Sequence, residues 1–169
     1  LKTAISDLEV DQREVNSKLY HIRYPIENSE EFITIATTRP ETMLGDTAIA
    51  VNPSDERYKK IVGKFVTIPL VGRKIKIIED EYADPEQGTG AVKITPAHDF
   101  NDYDVGERNN LEIINVFTED GKINENAPKE FIGLDRFEAR KQLLKKLKEN
   151  NYFVEEENIK NKVPYGDRS

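Results

Sequence analysis

Cysteine and tryptophan are absent from the 169 residues, methionine occurs once and histidine twice. Without cysteine there is no disulfide framework, no thiol nucleophile and no thiolate metal site, a composition consistent with a cytoplasmic location. His21 and His98 are too few for a poly-histidine zinc centre. No apolar stretch approaches the roughly 18 residues that a membrane span needs, so neither a metal nor a membrane is expected as a partner. None of the five serines lies in G-x-S-x-G, and G-x-x-x-x-G-K-[ST] does not occur, which removes the nucleophile-elbow hydrolases and the P-loop nucleotide sites. Gly88-Thr89-Gly90 lacks the third glycine of a dinucleotide fingerprint and precedes a strand, so it reads as a sharp turn. Basic residues are in deficit too. Lys and Arg number 25 against 32 Asp and Glu, a net charge of −7, which argues against a surface built to coat phosphates.

What is present describes a folding chain with a modest core: 37% hydrophobic, 34% charged, with nine glycines and eight prolines, and a length suited to one domain over 1–169. It opens at Leu1 and stops at Arg168-Ser169, which suggests a piece of a longer protein. Residues 16–24 alternate Leu19, His21 and Arg23 against Tyr20, Ile22 and Tyr24, the period of a half-buried strand, and Phe32 to Ala36 repeats it after the turn material Pro25 to Glu30. Those two runs predict a hairpin. Thr47–Val51, Lys64–Ile68, Arg73–Ile78, Ala91–Ile94, Glu112–Phe117 and Tyr152–Glu156 are further strand candidates. A helix is signalled after Asp135, with Glu138 three residues on and Phe137, Leu143, Leu144 and Leu147 on one face. Weaker helices are expected over Asp55–Val62 and after a cap at Asp99. Many short strands with helices inserted irregularly predict an α+β, mostly β fold: a barrel-like, curved sheet with peripheral helices.

Two segments carry chemistry. Ala36-Thr37-Thr38-Arg39-Pro40-Glu41-Thr42 gathers three threonines and an arginine after a strand; hydroxyls that both donate and accept suit a ribose, an ester carbonyl or a water. The plainer reading is a strand end followed by a proline turn. In Lys93-Ile94-Thr95-Pro96-Ala97-His98-Asp99, running on to Asp102, Lys93 and Thr95 share a strand face while Asp99 and Asp102 share a helix face, so four polar groups can converge. Asp99 as a plain N-cap and Asp102 as a first-turn acid are the structural alternatives. His98 and Asp102, four apart, offer two metal ligands without a third.

Together these segments resemble the editing domain inserted in class I valyl-tRNA synthetases: ATTRPETMLGDTAIAVNPSDERY at 36–58 and GTGAVKITPAHDFNDYDVG at 88–106. The likeness extends through PLVGRKIKIIEDEY (69–82), NVFTEDGKINENAP (115–128) and GLDRFEAR (133–140), and to ISDLEV and VPYGDRS near the two ends. Arg39-Pro40-Glu41 and Lys93-Ile94-Thr95 favour the valine family over the isoleucine type, which remains the alternative within the class. The resemblance implies a mostly β editing domain interrupting a synthetic domain, with ATP and Mg in that other domain and no cofactor in this one. It implies hydrolysis of threonine misattached to valine tRNA, and of threonyl-adenylate, because an apolar valine pocket rejects a hydroxyl isostere only weakly, the valine enzymes being the established example. Asp102 then resembles the anchor for the substrate α-ammonium. Lys93 and Thr95 resemble readers of the side-chain hydroxyl, and Asp99 lines the same pocket. Thr37, Thr38 and Arg39 look like the residues that hold the ester and terminal adenosine and place the water, so that Asp102, Thr38 and Arg39 stand nearest the reaction. His98 falls within the motif. The expected partners are the 3′-terminal aminoacyl-adenosine of the tRNA and the rest of the synthetase chain. The contrasting class is a non-catalytic module that binds the tRNA end.

Overall fold

The computed structural model describes residues 18–159; ISDLEV and VPYGDRS lie outside that range. In chain order the strands are β1 (Lys18–Pro25), β2 (Phe32–Thr37), β3 (Ala48–Val51), β4 (Phe65–Thr67), β5 (Lys74–Glu79), β6 (Ala91–Ile94) and β7 (Phe153–Asn158), with helices α1 (Phe100–Arg108) and α2 (Arg136–Glu149). The alternation in 16–24 does build a hairpin, β1 pairing antiparallel with β2 from Tyr20–Thr37 to Pro25–Phe32. β7 joins the other side of β1 with a register shift between His21 and Ile22. The second sheet runs β4-β5-β3-β6, with β3 and β5 parallel and the other pairs antiparallel.

Ile22, Tyr24, Ile33 and Ile35 from the first sheet, Ile49, Val51, Ile75 and Ile77 from the second, and Leu143 and Leu147 from α2 fill one core. Every residue of β3 is buried, and the two faces differ in size for a reason. Ile49 and Val51 point into that core, while Ala48 and Ala50 face a second cluster with Ile94 and Val105, where short side chains let α1 lie close. Gly106 serves the same approach, since a Cβ there would sit 3.0 Å from Pro96 Cγ.

Four expectations change in detail. The mostly β, helix-flanked class holds, but the ladder is split into two sheets that are not closed into a barrel. Among the described residues they meet at an isolated Ile26–Val66 bridge, reinforced by Glu27 N–H donating to Phe65 O at 2.8 Å. Glu112–Phe117 goes no further toward a strand than an isolated Phe117–Ile123 bridge, because side chains take part of its backbone: Val116 N–H donates to His98 Nε2 at 2.9 Å, and Asn124 and Asn126 both donate to Asn115 O. Asp55–Val62 forms 3-10 turns over Glu56–Ile61 rather than an α-helix, although Asp55 does cap it. In α2, capped by Asp135 through Glu138 N–H at 2.8 Å, Ala139, Leu143 and Leu147 make the buried stripe. Phe137, expected on that face, is 66% exposed and lies against Arg140.

Candidate functional site

The two chemistry-bearing segments meet. From the end of β2 the chain enters a 3-10 turn over Pro40–Gly45 in which every residue is buried, and proline at its start fixes the entry. Glu41, fully buried, accepts both bonds of the Arg140 guanidinium at 2.8 and 3.0 Å, which clamps the turn onto α2. Thr37 Oγ1 accepts from Arg39 N–H at 3.0 Å, and Arg39 Nη1 donates to His98 O at 3.1 Å. The threonine loop is thereby tied to the strand-to-helix turn that begins α1. Between them lies a cleft of about 250 Å³ lined by residues that include Thr37, Thr38, Arg39, Thr42, Tyr82, Lys93, Asp99 and Asp102, with Leu19 and Val92 on its apolar wall.

Asp102 is 3% exposed at the floor. Its Oδ2 accepts from Thr95 N–H and its Oδ1 from the Tyr82 hydroxyl, each at 2.9 Å. Burial first, and the neighbouring Asp99 charge second, push its carboxyl up to about 6, against the pull of the Thr95 amide, Lys93 and Tyr82. It is still mostly ionised at neutral pH and poorly compensated, the state that favours an incoming cation. Asp99 both caps α1, accepting from Asn101 N–H at 2.9 Å, and lines the cleft; the two readings of it coexist.

Lys93 is 7% exposed, and its ammonium has three partners: Thr42 Oγ1 at 2.8 Å, Thr95 Oγ1 at 2.6 Å and Asp46 Oδ1 at 2.8 Å. Asp46 is fully buried and also accepts from Thr95 Oγ1 at 2.7 Å and Tyr24 OH at 2.6 Å. This network is the polar floor behind the cleft. Thr95 belongs to it rather than to the cleft wall, since none of its surface is exposed.

His98 is turned away. Its Nε2 accepts from Val116 N–H and its ring meets Phe117 edge-on at 4.7 Å, while burial and the nearby Arg39, Lys93 and Arg136 charges hold its pKa down at about 3. The imidazole is neutral, its Nε2 is already used as an acceptor, and it is not among the residues lining the cleft. On the outer sheet, His21 with Glu155 and Glu157 brings three potential ligand atoms within 4.8 Å of one another.

The structure thus gathers Thr37, Thr38, Arg39, Lys93, Asp99 and Asp102 around one cleft and sets Thr95 and His98 behind it. Asp46, Tyr24 and Tyr82 were not singled out in the sequence, and Thr42 was noted there only as one of the loop's three threonines. Thr42 and Asp46 stand inside the threonine-loop motif, but nothing local marks them as partners of Lys93, some fifty residues on.

Residues 60–133 match the family model described as leucyl-tRNA synthetase, editing domain. Over all 169 residues the chain is 82% identical to a valine–tRNA ligase of Pelagibacter ubique, and it is 54% identical over 162 residues to that of Thermotoga maritima. The chain belongs to the editing domains of class I valyl-tRNA synthetases. It spans about a fifth of the length of those ligases, 19% of each. The fold agrees with the editing domains of leucyl-tRNA synthetases. An Agrobacterium radiobacter K84 leucyl enzyme, crystallised with tRNA and LeuAMS, superposes with a TM-score of 0.67 at 22% identity, over 87% of this chain and 21% of that one. The leucyl structure named GlLeuRS-CP1 gives 0.65 at 14% identity, over 81% of this chain and 98% of that one. Among the described residues no helix is long and apolar enough to cross a membrane.

Proposed function

We propose that this editing domain hydrolyses the ester of an amino acid misattached to the 3′ end of tRNA, specifically threonine on valine tRNA, and also threonyl-adenylate. The observation that carries the reading is a buried, under-compensated carboxylate, Asp102, facing a loop of threonine hydroxyls and a guanidinium across a cleft sized for an amino acid and part of a nucleoside. Asp102 takes the α-ammonium. The substrate hydroxyl meets Lys93 and Thr42, where it can accept the proton that Lys93 now gives to Thr42; a valine methyl in the same place forms no such bond and leaves Lys93 and Thr42 to each other, so valine forgoes a hydrogen bond to a charged group that threonine makes. Thr37, Thr38 and Arg39 hold the ester and terminal ribose.

Water adds to the ester carbonyl carbon, the bond from that carbon to the ribose oxygen breaks, and the proton lost by water ends on the leaving ribose oxygen. An aminoacyl ester is labile enough that placement of water and support of the developing oxyanion supply the catalysis. With His98 turned away, the vicinal ribose hydroxyl of the substrate is the proton carrier this reading favours. The domain needs no cofactor of its own, and its partners are the tRNA end and the remainder of the synthetase chain. The test is deacylation by the full-length ligase: the parent should release threonine from threonyl-tRNA well ahead of valine from valyl-tRNA, and Asp102→Ala should lose at least about a hundredfold in rate. A parent no faster than buffer would leave a tRNA-end-binding module; preference for valine on isoleucine tRNA would assign the isoleucine type.

A further inference from the structure

We propose that Tyr82 is a positioning residue, holding the Asp102 carboxylate so that one acceptor direction on each oxygen faces the substrate amino group; this deepens the editing reading and rests on it. Each carboxylate oxygen has two acceptor directions. Thr95 N–H occupies one on Oδ2 and the Tyr82 hydroxyl one on Oδ1, both at 2.9 Å, so the plane of the group is fixed from two sides and the remaining directions are left for a ligand. The Thr95 amide comes from the strand end just behind α1, and Tyr82 from the segment after β5, with its ring on the cleft wall.

Tyr82 is itself held. Its N–H donates to Asp80 Oδ1 at 2.9 Å, and Asp80 takes Arg108 Nη2 at 2.7 Å and Asn109 Nδ2 at 3.0 Å from the far end of α1. The segment carrying Tyr82 is thus bolted to the C-terminal end of α1 while its hydroxyl reaches the acid in the first turn. Tyr82 is 38% exposed and lines the cleft, so it does not serve as core.

Asp102 is faced by Asp99, Lys93, Tyr82 and the Thr95 amide. Of these, Asp99 disfavours its ionised form and the other three favour it, so removing the Tyr82 hydroxyl should raise the pH at which Asp102 ionises. In the full-length ligase, Tyr82→Phe keeps the ring and deletes the donor. The acid limb of kcat/KM for threonyl-tRNA deacylation should move upward, a loss of roughly fivefold at pH 6 that shrinks below about twofold at pH 8, carried by KM rather than kcat. A non-hydrolysable, amide-linked threonyl-adenosine should bind the variant more weakly at pH 6, whereas the analogue with hydroxyl in place of the α-ammonium should bind parent and variant alike. A loss equal at both pH values, or equal for both analogues, overturns the assignment and makes Tyr82 a packing residue. An unsubstituted ligase that releases no threonine at any pH overturns the editing reading itself and this inference with it, and is told apart because the failure precedes any substitution.

Discussion

Lys93 shows how one side chain can belong to the cleft and to the fold at once. A lysine ammonium has three protons, and here all three point at acceptors inside the protein, Thr42, Thr95 and Asp46. Burial raises the Asp46 carboxyl while Lys93 and the Tyr24 and Thr95 hydroxyls draw it back. Deleting only the cation would strand that carboxylate, and a buried pair broken on one side costs about 3–5 kcal/mol. Lys93→Met should therefore melt well below the parent, and adding Asp46→Asn should restore part of the loss, since the stranded carboxylate is then gone while the half-buried Arg73 guanidinium, which the Asp46 charge also favours, loses that compensation. Chemical denaturation of the parent, both single variants and the double variant measures this. A single-variant cost under about 1 kcal/mol would mean that the pair does not brace the floor. The same comparison separates two causes of lost editing: a Lys93 variant must be set beside the double variant before its discrimination is attributed to substrate reading.

At the scale of elements, the Pro40–Gly45 turn is decisive, because it carries Thr42 into the cleft and buries all six of its residues. Gly45 is required there by contact rather than by backbone angle. A Cβ at that position would lie 2.8 Å from Ile114 O, a backbone atom of the irregular 112–117 segment, and within 3.5 Å of Thr95 Cγ2 and His98 Cδ2. The segment that His98 fastens through Val116 is thus laid directly on the turn. Gly45→Ala should force the two apart, costing about 1–3 kcal/mol of overpacking, with weaker binding of the amide-linked threonyl-adenosine as the local sign. If thermal melting and that binding both match the parent, the turn and the 112–117 segment do not depend on this contact.

Across the whole molecule, the acid surplus and the perturbed groups of the site set the response to pH. Asp102 ionises near pH 6 in the fold against 3.8 for a free carboxyl, so its contribution to stability is present below about pH 4 and is lost as pH rises through 6. His98, held near 3 against 6.5, works the other way: its contribution is present above pH 6.5 and is lost as pH falls toward 3. Between pH 6 and 4 the two oppose, and the parent's stability should change gently there. In Asp102→Asn only the histidine loss remains of this pair, so stability should fall more steeply over the same interval. Denaturant melts at pH 7, 6, 5 and 4 give the comparison, and parallel curves would contradict the assignment. The net charge of −7 is reconciled with an RNA substrate on the proposed reading by size, because the cleft admits only the aminoacylated end while the rest of the synthetase would bear the phosphates.

Local period and motif made much of the protein legible in the chain alone. The β1–β2 hairpin, the caps at Asp99 and Asp135, the Gly88–Gly90 turn with positive φ at both glycines and the family could all be read there, because each rests on residues adjacent in the chain. Other features were settled only in three dimensions. The apolar run at 112–117 has the look of a strand, yet only its last residue, Phe117, pairs, in a bridge to Ile123, because His98, Asn124 and Asn126 take the backbone of Val116 and Asn115. Phe137 and Leu143 could not be ranked by helical period alone, since the width of the buried stripe is set by what α2 packs against. Within the site, motif placed eight residues together, but the division into a cleft wall and a buried floor came from long-range bonds. Lys93 is paired with an acid 47 positions before it, and Asp102 with a tyrosine 20 positions before it. A hydrogen bond depends on distance in space, and chain separation carries almost no information about that until the sheets have stacked.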